Sequence, residues 1–372
     1  MKRRIAVIVG TRPEAIKMAP VIRALAESKK LAPLTISTSQ HRELVGQVFR
    51  AFGIRPALEL RVMRKSQTLW DLSGRLAVQL GRLFDRHPVE AVLVQGDTSS
   101  AFFGGLCAFY HKIPVGHVEA GLRTGNAYSP FPEEMNRTLL RSVAAWHFAP
   151  TREAVKRLRQ EGAPKETIYL TGNTVVDAMR WMARRGQTDR RWRRLLLGNA
   201  VPRRLILVTC HRRESLGAPM KEIASGLARL AQAHPEAVFL FPVHPNPVVR
   251  EAINPGLKSL SNVVLCEPLD YPQFLWCLKN AFLVISDSGG VQEEATALGK
   301  PVLVLRDETE RQEGIRAGAL KLVGTDAPRI AREAHRLLVD ARAYARMCRA
   351  SNIFGDGQAA KRIVKVLESS LR

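Results

Sequence analysis

The sequence predicts an α/β protein made of two doubly wound, Rossmann-like parallel units around a cleft. Three observations carry this prediction. Short β-rich runs alternate with longer helical patterns along the whole chain, as they do where helices cover a parallel sheet. The alternation comes as two successive series, divided by a polar, basic stretch near residues 180–200. A length of 372 residues lets each of two units bury a core of its own.

In order, the strand candidates of the first series are IAVIV (5–9), APLTIST (32–38), AVLVQG (91–96), PVGHVE (114–119), WHFAP (146–150) and TIYLTG (167–172). Helical patterns such as PEAIKMAPVIRALAES and TREAVKRLRQEG lie between them. WMARRGQTDRRWRRLLLGNAVP reads as a helix and a linker closed by Pro202. The second series runs RLILVTC (204–210), AVFLFPV (237–243), NVVLCE (262–267), AFLVISD (281–287) and PVLVLRD (301–307). There is no fixed-period repeat and no low-complexity tract.

Bulk properties narrow the function classes. The net charge is +23, yet the excess arginines are scattered, without interleaved aromatics or a zinc or helix-turn-helix signature. The charge therefore reads as a solvated surface that favours anionic ligands, not as a nucleic-acid site. The five cysteines show no metal-ligand spacing and sit mostly in apolar stretches, as reduced thiols of a cytoplasmic protein do. The opening MKRRIAVIVGTRPEAIK has too short an apolar run for a signal peptide. No stretch approaches the roughly 18–20 apolar residues of a membrane span.

In doubly wound sheets, ligands bind beyond the carboxyl ends of the strands. Asp97 and Glu119 each follow an apolar strand, so both fall on that edge. Glu133 follows Pro132, which suits a first helical position, so its carboxylate lies in a first turn where the helix dipole favours the charged form. Arg137, four residues on, shares its face. A surface pair at that spacing would contribute only a few tenths of a kcal/mol; three acids gathered on one edge point to chemistry. The first strand-to-helix turn, VGTRPEAIK, is not GxGxxG: Pro13 and Glu14 stand where later glycines would be, which excludes a dinucleotide loop. Arg12 and Lys17 place cations on that turn.

The second series holds the better anion site. VISDSGGVQEEATALGKP reads as strand, Asp-Ser-Gly-Gly and a helix starting near Val291. Gly289 and Gly290 would let backbone amides approach a diphosphate, Ser288 adds a hydroxyl, and Glu294 is spaced to accept hydrogen bonds from a ribose diol. His211, Arg212 and Arg213 follow one strand, His244 another, and Arg311 and Glu313 a third. With no HExxH, Asp-x-Asp or paired Cys/His set, no metal ligands and no cofactor are expected; Arg, His and helix amides would neutralise the diphosphate.

Taken in order, GTRPEAIKMAP, QHRE, GDTSS, PVGHVEAGLRTG, SPFPEEMNR, TGNTVVDA, HRRES, DSGGVQEEA, GKPVLVLRD and TER resemble the non-hydrolysing UDP-N-acetylglucosamine 2-epimerases, from Gly10 to about Gly357. The resemblance implies a fold of glycosyltransferase-B type: residues 1–175 as a Rossmann-like unit with the catalytic carboxylates, 176–355 as a UDP-binding one, and 356–372 as a helix returning to the first. It implies interconversion of UDP-GlcNAc and UDP-ManNAc without NAD or metal. A base takes the C2 proton as UDP leaves C1, giving 2-acetamidoglucal; reprotonation on the other face and re-addition of UDP follow. By the same resemblance the catalytic residues are Asp97, Glu119, Glu133, Lys17, Arg137 and His211. Asp97 and Glu133 would transfer protons, with Glu119 sharing or relaying. UDP contacts would come from Arg12, His211, Ser288, Gly289, Gly290 and Glu294, with Phe274 and Arg311 beside the uracil. Gln40, Gln47, Glu134, Arg213 and His244 match the positions where relatives hold a second UDP-GlcNAc as activator, and a homodimer is the family's usual form. The chain departs from the family pattern at Glu308, at Gln312 after TER, and at His244-Pro245-Asn246.

Other readings keep the fold and change the use. The same chemistry on another UDP-2-acetamido sugar, such as a 2,3-diacetamido uronate, depends on sugar-pocket residues that the sequence does not expose. A glycosyltransferase would not explain three acids in the first unit. A non-catalytic UDP-sugar sensor would not need them. Nucleic-acid binding through the +23 charge would lose affinity steeply with salt.

Overall fold

A computed structural model describes residues 2–64, 66–184, 204–212, 215–349 and 352–371. The chain divides into unit 1, residues 1–184 and 354–372, and unit 2, residues 185–353.

Among the described residues, seven parallel strands form the sheet of unit 1: β1 (Arg3–Val9), β2 (Leu31–Ser37), β3 (Leu58–Glu59), β4 (Ala91–Gln95), β5 (Val115–Val118), β6 (Trp146–Ala149) and β7 (Ile168–Leu170). Their order is β3-β2-β1-β4-β5-β6-β7, so the winding reverses between β1 and β4. Crossover helices are α1 (Arg12–Glu27), α2 (Arg42–Phe52), α3 (Leu69–Arg86), α4 (Ser99–Tyr110), α5 (Glu133–Val143), α6 (Arg152–Gln160) and α7 (Thr174–Ala183). Val7 and Ile8 of β1, and Leu93 of β4, are fully buried, as strands covered on both faces require. One face packs Ile8, Val92 and Val94 against Leu76, Leu80 and Ala108 of α3 and α4. Each such Ile, Val or Leu side chain contributes roughly 1.5–3 kcal/mol on burial.

Among its described residues, unit 2 repeats the plan with six strands: β8 (Leu205–Thr209), β9 (Val238–Pro242), β10 (Val263–Cys266), β11 (Ala281–Ser286), β12 (Val302–Val304) and β13 (Leu320–Leu322). The order β10-β9-β8-β11-β12-β13 again reverses beside its first strand. Helices α8 (Ala218–Ala233), α9 (Pro247–Leu257), α10 (Tyr271–Asn280), α11 (Gly289–Ala297), α12 (Gln312–Arg316), α13 (Ala327–Val339) and α14 (Ala341–Cys348) accompany it. Ile206, Val208 and Ile285 face one cluster with Ile223 and Leu227; Leu207 and Val284 face another with Leu278 and Ala295.

The chain then re-enters unit 1 as α15 (Ala359–Ser370). Ile363, Val364 and Leu367 are buried, and the helix packs on α1 and α7. Asp177 in α7 takes the N–H groups of Ala359 and Ala360 at 3.2 and 3.0 Å, capping the incoming helix. The asparagine at the start of α7, Asn173, donates its backbone N–H to Phe354 at 2.7 Å. No helix among the described residues is long and apolar enough to cross a membrane.

Two strands escape the sequence reading, β3 and β13, at two and three residues too short for a visible alternation. Two helix starts shift as well. Helix α5 begins at Glu133 with Pro132 as its cap, not its first residue, and α11 begins at Gly289, two residues before Val291.

Candidate active site

The carboxyl edge of unit 1 gathers the acids. After β4 the chain turns through Gly96, whose φ of +71° suits glycine, and presents Asp97. Thr98 then caps α4 by accepting the Ala101 N–H at 3.1 Å. Arg137 of α5 donates to Asp97 Oδ2, and Asn136 Nδ2 holds the Asp97 carbonyl at 2.8 Å. Asp97 Oδ1 accepts nothing among the described residues. Arg137 is itself 4% exposed, so the pair lies against a buried cation that water screens little.

Glu119 ends β5 with φ of +67°, a conformation that a side-chain-bearing residue holds at a cost of roughly 1–2 kcal/mol. Three donors converge on it. Lys17 of α1 and Asn173 reach Oε1, the latter at 2.9 Å, and Gln95 of β4 reaches Oε2. Its lone pairs are thus largely committed, and its charge lies against Lys17. Glu133 is half-buried as the first residue of α5. The structure therefore brings Asp97, Glu119, Lys17 and Arg137 together at the ends of two adjacent strands, with Glu133 at the head of the helix that carries Arg137.

Other candidates in unit 1 have less open positions. Glu134, 3% exposed, accepts the N–H groups of Thr124 and Gly125 at 3.0 Å and lies 3.4 Å from Arg137. Gln40 accepts from Ser100 Oγ at 2.9 Å, while Gln47 is exposed on α2 and Arg12 half-buried at the start of α1.

Three polar residues to which the sequence gives no role, His117, Asn173 and Glu14, support this edge. His117 of β5 donates Nε2–H to the Gly96 carbonyl at 2.7 Å. Burial holds its imidazole neutral, pushing the pKa down to about 3; His147 of β6 is pushed down to about 4 by the same cause. Asn173 was embedded in TGNTVVDA, where an N-cap reading would have found it: its Oδ1 takes the Val175 N–H at 3.0 Å. Glu14, one residue from full notice in VGTRPEAIK, is 1% exposed and sits in a Thr-x-x-Glu pattern that marks a helix start.

In unit 2, Asp287 is fully buried and organises the neighbouring turn. Its Oδ2 accepts the backbone N–H groups of His211 and Arg212, both at 2.8 Å, and its carbonyl takes Arg212 Nε at 3.0 Å. Its Oδ1 lies 3.4 Å from His211 Nδ1. The His211 ring is thereby set at the carboxyl end of β8 and lies parallel to His244, centroids 6.0 Å apart. Partial burial and the His211 ring hold His244 below its ordinary pKa.

Ser288 caps α11, its N–H donating to Ser286 Oγ at 3.0 Å. The two following glycines differ. A Cβ on Gly289 would lie 2.7 Å from the Arg311 guanidinium carbon, whereas one on Gly290 meets nothing within 4 Å. Gly289 is thus held to glycine by packing against protein, and Gly290 faces open space among the described residues. Arg311, expected beside the uracil, is 6% exposed and ion-paired to Glu293 at 2.7 Å and Glu310 at 3.0 Å. Arg306 joins Glu310 at 3.1 Å, so the TER segment is riveted under the glycine turn. Glu294 is buried one residue beyond Glu293, and Phe274 lies in the apolar cluster with Val291. Arg213 lies outside the described residues. Among those residues, no group of three or more His, Cys, Asp or Glu could hold a metal ion.

Comparison with known proteins matches the sequence and the fold to a family. The model of the family described as UDP-N-acetylglucosamine 2-epimerase matches residues 23–368. The UDP-N-acetylglucosamine 2-epimerase of Escherichia coli K12 is 44% identical over 371 residues, 99% of each chain. A crystal structure of UDP-GlcNAc 2-epimerase from Neisseria meningitidis bound to UDP-GlcNAc superposes with a TM-score of 0.95 at 40% identity, covering 98% of this chain and all of that one. A glycosyltransferase of kitacinnamycin shares the fold alone, with a TM-score of 0.68 at 12% identity over the full length of both chains.

Proposed function

The chain belongs to the UDP-N-acetylglucosamine 2-epimerase family of non-hydrolysing isomerases, and from that premise we propose that it interconverts UDP-GlcNAc and UDP-ManNAc by eliminating and re-adding UDP. The observation that carries this reading is the pair of opposed charges on adjacent strand ends, Asp97 with Arg137 and Glu119 with Lys17.

The C2 proton is weakly acidic, so its removal requires a carboxylate base and a stabilised leaving group together. Asp97 serves as one proton-transfer group: Arg137 fixes one oxygen and leaves the other to face substrate. Glu133, at the head of α5, serves the opposite face. The base takes the C2 proton, its electron pair forms the C1=C2 double bond, and the C1–O bond breaks with its pair leaving on UDP. Protonation of C2 from the other side then reverses the sequence with C2 inverted. The three donors on Glu119 support a modest revision of its role. It tethers the Lys17 ammonium, which neutralises charge on the departing diphosphate, more than it relays protons. Ser288, Gly290, Glu294 and His211 would bind the nucleotide, supported by the open space at Gly290 and the Asp287-braced turn.

We propose further that a second UDP-GlcNAc activates the enzyme and that two copies associate. Exposed Gln47 and His244 suit an activator contact better than Glu134, whose oxygens hold the Thr124–Gly125 turn.

Incubation with UDP-GlcNAc in deuterium oxide, with EDTA and without NAD, tests the central claim by proton NMR at C2. Loss of the C2 signal with formation of UDP-ManNAc is expected. Absence of exchange would overturn the elimination mechanism, and exchange only with another UDP-sugar would change the substrate.

A further inference from the structure

In a doubly wound unit, the amides where the first strand meets its helix are the usual seat of a nucleotide phosphate, because unpaired N–H groups and the helix dipole point there. In unit 1 that seat is filled from within. Glu14, on the first turn of α1, bends back so that its Oε2 accepts the N–H of Gly10 at 2.9 Å, the N–H of Thr11 at 2.6 Å and the Thr11 hydroxyl at 2.8 Å. Its Oε1 accepts the Thr98 hydroxyl at 2.7 Å. The carboxyl group is 1% exposed.

The fourth contact ties the filled seat to the reaction. Thr98 directly follows Asp97, and its hydroxyl also receives the first turn of α4. The path from the β1 turn through Glu14 to Thr98 is therefore a strut across the point where strand order reverses, and Asp97 stands at its far end. The near end cannot yield. A Cβ on Gly10 would collide with Ser100, and Ser100 is bonded to Thr38 at 2.7 Å, so β1, β2 and α4 lock together around that turn. Burying a carboxyl group costs several kcal/mol unless it is bonded; four donors on one side chain offset that cost, although burial still pushes its pKa up to about 7.

We infer that Glu14 is a positioning residue: an internal carboxyl group that occupies the phosphate seat of unit 1, shuts nucleotide phosphate out of it, and holds the Asp97 turn in place for proton transfer. This rests on the role proposed for Asp97 above. Glu14 itself touches no reacting atom.

The test is Glu14→Ala with formate as the probe. The variant leaves a carboxylate-sized gap faced by two N–H groups and two hydroxyls. The kcat for C2 exchange should fall about 10- to 100-fold, with KM for UDP-GlcNAc within about twofold, as for a displaced catalytic group. Formate should restore turnover saturably, and chloride at equal ionic strength should not. Hydrogen exchange of the segment 96–101 should quicken in the variant and slow again with formate. That readout needs no turnover, so it decides the strut even if wild-type protein proves inactive toward UDP-GlcNAc and the proposed function fails. Near-native kcat, or loss of turnover and protection with no response to formate, would overturn the inference. Should Glu14→Ala not fold, Glu14→Gln takes its place. Its amide presents a donor to the same donors, so lowered kcat at retained KM and quickened exchange at 96–101 are expected, and native values of both would refute the strut.

Discussion

The two units solve one problem in two ways. Around the reversal point their strand orders correspond, β2-β1-β4-β5 in one and β9-β8-β11-β12 in the other. In both, a buried carboxylate accepts two successive backbone N–H groups after the first strand: Gly10 and Thr11 on Glu14, His211 and Arg212 on Asp287. The source of that carboxylate differs. In unit 1 it comes from the helix whose own N-terminus it fills, and it reaches across to Thr98. In unit 2 it comes from the opposite turn, just before Ser288, and the glycine turn that follows faces open space at Gly290. One plan thus yields a first-strand turn closed by the carboxylate of its own helix in unit 1 and, in unit 2, a first-strand turn held from the neighbouring strand end, with room left at Gly290 among the described residues.

The comparison breaks most sharply at Asp97. Asp97→Asn should lower the rate of C2 exchange by about 10³-fold or more while UDP affinity by calorimetry stays within about twofold. A parallel loss of UDP binding would show that the two units do not divide the labour. Asp287→Asn should act in the other direction. Weakening two charge-assisted hydrogen bonds should cost about 1.5–3 kcal/mol of stability in urea unfolding and loosen UDP binding through His211. Unchanged stability would mean that the turn holds without its brace. Glu294→Ala should weaken UDP by about 1–3 kcal/mol if it grips the ribose, and unchanged affinity would remove it from the site.

The glycines sharpen the comparison further. Gly289→Ala must push the Arg311 guanidinium aside and should destabilise by about 1–3 kcal/mol. Gly290→Ala should leave stability within about 1 kcal/mol, since alanine favours a helix, and should weaken UDP instead. A reversed pattern would place the diphosphate elsewhere.

A further contrast lies in the pH dependence of stability. His117 and His147 stay neutral when folded, at about 3 and 4 against 6.5 in the free side chain. As pH falls from 6.5 toward 4, the unfolded chain gains protons that the folded one refuses, and stability drops by up to about 1.4 kcal/mol per pH unit for each. Glu14 opposes them. Its folded value near 7 against 4.5 means that the folded chain keeps a proton the unfolded one has lost, so its contribution falls as pH rises from 4.5 to 7. Glu14→Gln should therefore steepen the loss of stability on acidification from pH 6.5 to 4.5, measured by urea unfolding; an unaltered slope would show that Glu14 does not titrate there.

Sequence patterns disclose the longer strands and the edge acids because burial imposes runs of apolar residues and strand ends impose punctuation. Leu58–Glu59 and Leu320–Leu322 are too brief to show any period. The edge was legible in Asp97 and Glu119, yet not in what they touch. Gln95, Asn173 and His117 support it from three separate segments, and only folding brings these side chains to Glu119 and Gly96. Glu14 was visible only as a residue that spoils a glycine motif. That its carboxyl group folds back onto the Gly10 and Thr11 amides is visible only in three dimensions. Asp287 stood in plain view before Ser-Gly-Gly, but its work is done on a turn more than seventy residues earlier. Arg311 shows the opposite limit: its place in the TER motif was readable, whereas its ion pairs beneath Gly289 were not.

The return of α15 to unit 1 also orders events during synthesis. Its Ile363, Val364 and Leu367 cover surfaces of α1 and α7 that leave the ribosome well before it does. All of residues 185–353 must be translated in between. At roughly 5–20 residues per second, that interval is on the order of ten to thirty seconds. Through that time the earlier-made unit waits with an uncovered apolar strip, and at its end the later-made one has its whole sequence and can close first. The unit that is made first is thus the last to be finished, and a ribosome stalled within unit 2 would hold a nascent chain whose unit 1 is still open.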